Sequence, residues 1–184
     1  MKWLLSTRRF FRVADSASFG WNYTKTLVQT AFLWAVFLFI LPSFVADLDR
    51  THLNFPSLGE SKLLAVVVFV IFGSLGLWAG VIMAKDGHGT PLPLDTASEL
   101  AIAGPYEYVR NPMAIAACVQ AVAASFWLDS GLVLLYGVGA AFVWNYVIRP
   151  PEQLDLEERF GDPYRRYYAE VRCWVPRRSR FQIE

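Results

Sequence analysis

The chain has 184 residues, of which 55% are hydrophobic and 18% are charged, and its net charge at neutral pH is +1. This length allows one domain, and the apolar excess indicates a membrane protein. The near-neutral charge argues against nucleic acid as a partner, because a polyanion is normally bound through a clear basic excess. The only cysteines, Cys118 and Cys173, lie in different settings, so neither a disulfide nor a zinc framework is predicted.

Two predicted membrane helices lie in the amino-terminal half. A helix needs about 20 apolar residues to cross a hydrocarbon core of about 30 Å. Residues 27–46 and 64–84 reach this length. Pro42 is expected to kink or end the first helix without preventing its insertion. In the second helix, Gly76 and Gly80 form a Gly-x-x-x-Gly pair that can bring a neighbouring helix close.

Two further apolar segments predict a helical hairpin. Residues 112–128 and 131–148 are separated only by Asp129 and Ser130. Their shortness also fits a hairpin that only half enters the membrane, and this alternative stays open. The predicted fold is therefore all-α, a polytopic membrane helical bundle of about four transmembrane helices. It includes this hairpin and ends in an amphipathic carboxy-terminal helix on the cytoplasmic side.

Basic residues flank the predicted helices unevenly. The first loop holds only Arg50 and Lys62, and the other basic residues fall in the amino-terminal segment, the loop 85–111 and the tail. The positive-inside rule therefore places both termini in the cytoplasm. A cleavable signal peptide is not expected, because the first apolar run starts late and is long enough to span. The single predicted domain, 1–184, has an interfacial segment, a transmembrane core and a tail that completes the active site, at residues 1–26, 27–149 and 150–184.

A polar block precedes the third helix. Residues 86–93 are rich in turn formers, so the second helix must end there and continue as a surface loop. Asn111 and Pro112 have the signature of a helix start, with asparagine as the N-cap and proline at the first helical position. The amides of Met113 and Ala114 are expected to point outward, where they and the helix dipole favour an anion. Taken alone, this pattern more often marks only a well-capped helix.

A second polar block follows the hairpin. The prolines at residues 150–151 are expected to break the fourth helix at the headgroups. Of the five charged residues within 152–159, one is kept as a site candidate and four are assigned to a solvated helix face. The pair at 162–163 repeats the cap-and-proline start. An aromatic stripe that includes Tyr164 and Tyr167 suits an interfacial helix.

Together these blocks resemble the isoprenylcysteine carboxyl methyltransferase and phospholipid methyltransferase group of integral-membrane enzymes. The resembling parts fall in the family's order and spacing over about half of the chain, from Gly87 onward: Gly104-Pro105-Tyr106, Val109-Arg110-Asn111-Pro112-Met113, Glu152-Gln153, Leu156, Phe160-Gly161, Tyr164, Tyr167 and Val171-Arg172-Cys173-Trp174-Val175-Pro176. Residues 87–93 also look like the Gly-x-Gly-Thr-Pro loop of bacterial members. Two positions depart from the pattern, since Asn111 replaces a frequent histidine of the eukaryotic carboxyl methyltransferases and Gln153 replaces the second glutamate of a pair.

The resemblance implies S-adenosylmethionine as the methyl donor, bound in a cytoplasm-facing pocket. Carried over position by position, it implies donor-binding residues in the loop and at the starts of the third helix and the tail: Glu99, Leu100, Ala101, Tyr106, Asn111, Pro112, Met113 and Glu152. Glu152 is also a catalytic candidate, together with Arg110 and Arg149, either of which would hold a negative group of the acceptor. No metal is implied. The acceptor stays open between a prenyl-cysteine-like carboxylate, a lipid amine and a lipophilic thiol.

Other functions compete with methyl transfer. A non-catalytic membrane scaffold would have the same helices but would not bind the donor. A small transporter has little support, because no half of the chain is repeated and few charges lie within the spans. Lipid reductases that use a nicotinamide cofactor share a related helical arrangement, but the chain has no Gly-x-Gly-x-x-Gly loop. The expected partners are a lipophilic substrate and membrane lipids, and the loop motif suggests a bacterial inner membrane. The oligomeric state stays open.

Overall fold

The computed structural model describes residues 12–15, 17–59, 61–90 and 95–182. These residues are largely helical and contain no strand beyond isolated β-bridges. The helices are, in chain order, α1 (Phe19–Leu53), α2 (Lys62–Asp86), α3 (Pro112–Leu128), α4 (Gly131–Val143) and α5 (Arg149–Glu170). A π-helical segment, Trp144–Ile148, joins α4 to α5 without a break.

Three helices are long and apolar enough to cross a membrane within the described residues. They are α1, α2 and the continuous helix formed by α4 and α5, whereas α3 is a shorter apolar helix. The all-α membrane bundle is therefore confirmed, and each predicted apolar segment lies inside an observed helix. Of the predicted interfacial segment 1–26, residues 1–11 and 16 lie outside the described residues. Its end already belongs to α1, which Ser18 caps by accepting a hydrogen bond from the amide of Trp21.

Glycines on α2 let its neighbours approach closely. A Cβ on Gly76 would lie 3.3 Å from the Cβ of Ala116 on α3. A Cβ on Gly80 would lie 2.9 Å from the side-chain methyl of Thr26 on α1 and 3.8 Å from the terminal methyl of Met113 on α3. The predicted Gly-x-x-x-Gly contact is confirmed, and it brings α1 and α3 together on one face of α2.

Two π-helical segments precede prolines inside long helices. Ala35–Ile40 lies just before Pro42, and Trp144–Ile148 lies just before the prolines at 150–151. A proline removes one N–H, and its ring collides with the carbonyl four residues back, so a wider turn relieves the collision. The amide of Arg149 accordingly bonds the carbonyl of Trp144, five residues back. The prediction that the two prolines break the fourth helix is therefore wrong.

One end of the bundle, called here the hairpin end, consists of residues 47–59, 61 and 128–132. Asp129 adopts a left-handed conformation with φ 48 and ends α3, as expected for a tight hairpin turn. Its carboxylate accepts hydrogen bonds of 2.8 Å from Ser57 and 2.9 Å from the amide of Leu58. Asp49, which is only 3% exposed, accepts a hydrogen bond from the Ser130 hydroxyl. These bonds fasten α1 and the first loop to the α3–α4 turn.

The opposite end, called here the motif end, consists of residues 87–90, 95–111 and 149–182. Backbone hydrogen bonds join its two parts, with the amide of Arg110 donating to Arg172 at 3.0 Å. The amides of Arg177 and Phe181 donate to the carbonyls of Tyr108 and Glu107 at 2.9 and 3.0 Å. The loop and the tail therefore meet at one end of the bundle, as the sequence predicted.

Candidate active site

The loop after α2 folds back over the end of that helix. The carbonyl of Gly87 accepts a hydrogen bond of 3.2 Å from the amide of Glu99. A Cβ on Gly89 would lie 2.6 Å from the backbone of Ala97, so a side chain has no room there. The glycines of the predicted Gly-x-Gly-Thr-Pro loop thus allow a close backbone crossing. Residues 91–94 of that motif lie outside the described residues.

Side-chain and backbone contacts tie this loop to the start of α1. Lys25 of α1 forms an ion pair with Asp95, and both side chains are about one-fifth exposed. The amide of Thr96 donates to the carbonyl of Arg12, and the amide of Ala14 donates back to Thr96, both at 2.9 Å. The amino-terminal part of the chain therefore helps to hold the loop in place.

The Gly-Pro-Tyr motif forms a short 3₁₀ turn above α2. Gly104 has a positive φ of 56, and a Cβ on it would lie 3.2 Å from the Trp78 ring. The turn buries Tyr106 to 5% exposure, and its carbonyl accepts a 2.7 Å hydrogen bond from the Tyr167 hydroxyl. Burial raises the pKa of Tyr106, and the Glu152 carboxylate raises it further. Tyr106 and Glu152 therefore lie within electrostatic reach of each other.

The start of α3 follows the predicted capping pattern in part. The side-chain oxygen of Asn111 accepts a hydrogen bond of 3.1 Å from the amide of Ala114, and Pro112 is buried behind it. The N-cap is confirmed, but the expectation of a free Ala114 amide is wrong because the cap uses it. The side chain of Met113 reaches α2 beside Gly80. An anion at this helix start would therefore find fewer open amides than the sequence suggested.

Arg110, near the end of the loop, contacts the second half of α5. Its guanidinium carbon is 3.8 Å from the centre of the Tyr168 ring, a cation–π distance. Burial raises the pKa of Tyr164 to about 12. The positive charge of Arg110 and its hydrogen bond to Tyr164 partly lower this pKa. The Nε of Arg110 is nevertheless buried without a partner among the described residues, and the same is true of the Nε of Arg149. The motif end thus holds two unsatisfied guanidinium N–H groups.

Glu152 lies in the first turn of α5, beyond the apolar stretch that ends at Ile148. Burial of its carboxyl group raises the pKa to about 7, with a further rise from Asp155 and a partly opposing effect from Arg159. The folded protein therefore holds this carboxyl near its point of half-ionisation at neutral pH. A group in that state responds strongly to any cation placed beside it.

Asp155 and Arg159 form a second link between α5 and the loop. Their side chains are 2.7 Å apart and only 19% and 18% exposed, and Arg159 also donates to the carbonyl of Ala97. Assigning four of the five charged residues to a solvated helix face was therefore wrong for this pair. The i, i+4 spacing of aspartate and arginine was the available sequence signal, but it did not reveal the loop carbonyl as a partner.

The aromatic stripe of α5 faces the protein and not an interface with lipid. Gly161, with φ 58 and ψ −131, breaks the helical geometry, and helical structure resumes at 162–163, where the sequence predicted a start. The carboxylate of Asp162 accepts a hydrogen bond from the side chain of Arg165. Beyond the break, the stripe and the tail form a buried core, and partly buried residues of the loop and of the first half of α5 pack against it. The core is Tyr164, Tyr167, Val171 and Phe181, and its neighbours are Leu100, Ile102, Leu156 and Phe160. The interfacial prediction is wrong, because the loop and the tail cover this face.

The structure gathers some of the predicted site residues and separates others. Glu152 interacts electrostatically with Tyr106, and both Glu152 and Arg110 interact electrostatically with Tyr164. Leu100 instead packs in the aromatic core and Ala101 is buried. The carboxylate of Glu99 is 69% exposed and lies 3.9 Å from His88, which has a left-handed φ of 52.

Sequence reasoning missed the aromatic partners of Arg110. Tyr164 and Tyr168 are spaced by four residues and so lie on the same side of a helix. This spacing was visible, but nothing local showed that a loop arginine would cover them.

A comparison with known protein families matches residues 62–163 to the phospholipid methyltransferase family. The chain belongs to this family. The match includes the loop, the hairpin and the first part of α5, and so contains Tyr106, Arg110 and Glu152, whereas α1 precedes it. No curated protein matches the chain. Membership in the phospholipid methyltransferase family implies a membrane methyltransferase that acts on lipid-like molecules.

Proposed function

We propose that the protein transfers a methyl group from S-adenosylmethionine to a lipophilic acceptor at the cytoplasmic face of the membrane. The observation that carries the proposal is the grouping of Tyr106, Arg110 and Glu152 at the motif end of a phospholipid methyltransferase family member. The donor supplies an already activated methyl group on a sulfonium cation. The protein therefore has to align the nucleophile, exclude water and neutralise charge.

The unsatisfied groups at the motif end suit the charges of this donor. The Nε atoms of Arg110 and Arg149 are buried donors without partners, which suits a carboxylate. The carboxyl of Glu152 has its pKa raised to about 7 by burial, so a neighbouring ammonium or sulfonium favours its ionised form. The donor carries both signs of charge, and both find a complement here.

The remaining donor-binding positions are proposed to act in two ways. Leu100 packs in the aromatic core and Ala101 and Pro112 are buried, so they support the walls of the site, and Met113 supports the start of α3 from the side of α2. Asn111 uses its oxygen as the helix cap, which leaves its amide N–H group for the donor. We assign Glu99, Leu100, Ala101, Tyr106, Asn111, Pro112, Met113 and Glu152 to the donor site on this basis.

The arginines divide between donor and acceptor in this proposal. Arg110 is held beside Tyr164 and Tyr168, next to the Tyr106 turn, so we assign it to the donor carboxylate. Arg149 precedes Glu152 on the membrane side of α5, so we assign it to a negative group on a lipid-like acceptor. We place the protein in a bacterial inner membrane. Both termini are assigned to the cytoplasmic side, because most basic residues flank the membrane helices on the side of the termini.

The direct test is calorimetric binding of S-adenosylhomocysteine to the protein in lipid nanodiscs. Wild type should bind saturably, Glu152→Ala should lose binding, and Glu157→Ala should retain it. Glu157 is the matched control because it lies on the same helix in an exposed ion pair with Arg165. Folded wild type that does not bind would contradict the proposal and favour the non-catalytic scaffold.

A further inference from the structure

Helix α1 carries polar side chains that are buried without partners. They are Asn22, Thr26 and Gln29, spaced by four and three residues and therefore on one side of the helix. Both amide atoms of Asn22, the hydroxyl of Thr26 and the side-chain oxygen of Gln29 are buried and make no hydrogen bond within the described part of the chain. Asn22 is fully buried, and Thr26 is 3% exposed. We call these three residues the polar stripe.

The polar stripe contrasts with other polar residues on the same helix. Thr24, on an exposed side of α1, donates a 2.9 Å hydrogen bond to the carbonyl of Gly20, the usual solution for a helical threonine. Thr26 makes no such bond. Buried polar groups without partners oppose folding, and inside a bilayer no bulk water is available to satisfy them. Several such groups on one face are therefore available to a ligand that can satisfy them.

The polar stripe lies beside the candidate active site. The methyl of Thr26 and the terminal methyl of Met113 both approach Gly80, so the stripe adjoins the first turn of α3. Lys25, its neighbour on α1, is tied to the loop through Asp95. The stripe thus adds uncharged polar groups from a helix that precedes the family match at 62–163.

We propose that the polar stripe binds a polar group of the lipophilic acceptor, and that this group is uncharged and both donates and accepts hydrogen bonds, as a hydroxyl does. This inference rests on the proposed function, because it names the acceptor class for that site. The unsatisfied atoms include the N–H group of Asn22, the side-chain oxygens of Asn22 and Gln29, and the Thr26 hydroxyl. A ligand group that satisfies them must offer both an acceptor and a donor.

Charge and space limit this group further. The stripe contains no ionisable residue, and the adjacent Lys25 and Asp95 neutralise each other, so an ion would have no counter-charge. A Cβ on Gly80 would lie 2.9 Å from the methyl of Thr26, so a bulky group does not fit between α1 and α2 at this point. A hydroxyl meets all of these conditions.

The test uses phosphatidylcholine nanodiscs that contain either 1-hexadecanol or hexadecyl methyl ether. Both probes have the same chain and an oxygen, but only the alcohol donates a hydrogen bond. The alcohol should raise the melting temperature of wild type, and the ether should not. The double variant Asn22→Leu, Thr26→Val should lose this response, whereas Thr24→Val should keep it.

Stability without the alcohol separates this idea from a structural role. The double variant should melt at or above the wild-type temperature, because the substitutions remove unsatisfied groups. A lower melting temperature would overturn the inference, since buried water would then hold the stripe together. If the double variant does not fold, Thr26→Val alone should show the same two results, because valine has the shape of threonine.

Binding of S-adenosylhomocysteine in the same nanodiscs distinguishes the two proposals. Wild type and the double variant should bind it equally, since the polar stripe contacts the acceptor. If wild type binds S-adenosylhomocysteine but does not respond to 1-hexadecanol, the polar-stripe inference alone is overturned. A response to 1-hexadecanol without that binding would contradict the proposed function and leave the stripe as a lipid-binding site.

Discussion

The two ends of the helical bundle differ in whether key polar groups have hydrogen-bond partners. At the hairpin end, Asp49 accepts hydrogen bonds from the Ser130 hydroxyl and from the amide of Phe55, and Asp129 is bonded to the first loop. At the motif end, Arg110 and Arg149 each keep a buried Nε without a partner. Paired groups fasten the fold, whereas unpaired ones oppose it and suit a ligand.

Magnitudes support this division. A satisfied hydrogen bond contributes about 0.5–1.5 kcal/mol to stability, and a buried group without a partner opposes folding by about 1–3 kcal/mol. The unsatisfied groups of the motif end therefore reduce stability, and the rest of the fold must offset this effect. Functional sites commonly sacrifice stability in this way. Substitutions at the two ends should accordingly have opposite consequences for stability and binding.

The largest effect is expected at the hairpin end. Asp49→Ala should lower the melting temperature by several degrees, because donors from Ser130, Phe55 and Leu132 lose their acceptor. Binding of S-adenosylhomocysteine to the folded fraction should not change. Thermal unfolding and calorimetry in nanodiscs measure the two quantities. An unaltered melting temperature would show that this end does not carry the stability assigned to it.

The second effect is a pH dependence of stability at the motif end. The folded Glu152 carboxyl has a pKa of about 7 against an ordinary value of 4.5, so the folded state binds an extra proton between these pH values. Its ionisation should therefore reduce stability by about 3 kcal/mol as the pH rises from 4.5 to about 8, with little further change above. The melting temperature of wild type should fall over this range, and that of Glu152→Gln should fall less. If the melting temperatures of wild type and Glu152→Gln fell equally with pH, Glu152 would not be the cause of the pH dependence.

A third effect concerns binding. Glu152→Gln keeps the size of the side chain but removes its charge, and it should weaken binding of S-adenosylhomocysteine by about 10–100-fold, as expected for a lost charged hydrogen bond. Glu157→Gln on the same helix should stay near wild type. Equal affinities for the two variants would place Glu152 outside the donor site.

A smaller effect is expected from Arg110→Lys. Lysine keeps the charge but loses Nε and the planar contact with Tyr168, so binding of S-adenosylhomocysteine should weaken by about 5–10-fold. Arg166→Lys is the control, because Arg166 is an exposed arginine on the same part of α5 as Tyr168. An unchanged affinity in Arg110→Lys would mean that the unpartnered Nε serves no ligand.

Local rules explain what the sequence predicted well. Apolar length located the membrane helices, and capping chemistry located the start of α3 at Asn111. The small residues Gly76 and Gly80 signalled close helix packing, because only the absence of a side chain allows it. The turn at Asp129 followed from two polar residues between apolar runs.

Features that depend on distant contacts were missed or misread. The Pro-Pro pair after Arg149 was expected to break a helix, but a preceding π-helical turn accommodates both rings. Tyr164 and Tyr167 were expected at a lipid interface, but Leu100 and Phe181 cover them from elsewhere in the chain. No periodicity in one segment reveals which other segment packs on it.

The central claim is that the unsatisfied charged groups of the motif end are completed by the donor. Calorimetry of S-adenosylhomocysteine binding at pH 7, in buffers of different ionisation enthalpy, measures the protons released on binding. Because Glu152 has a pKa of about 7 and a bound cation favours its ionised form, wild type should release about half a proton, and Glu152→Gln none. Binding without proton release in wild type, or equal release in both proteins, would contradict the account.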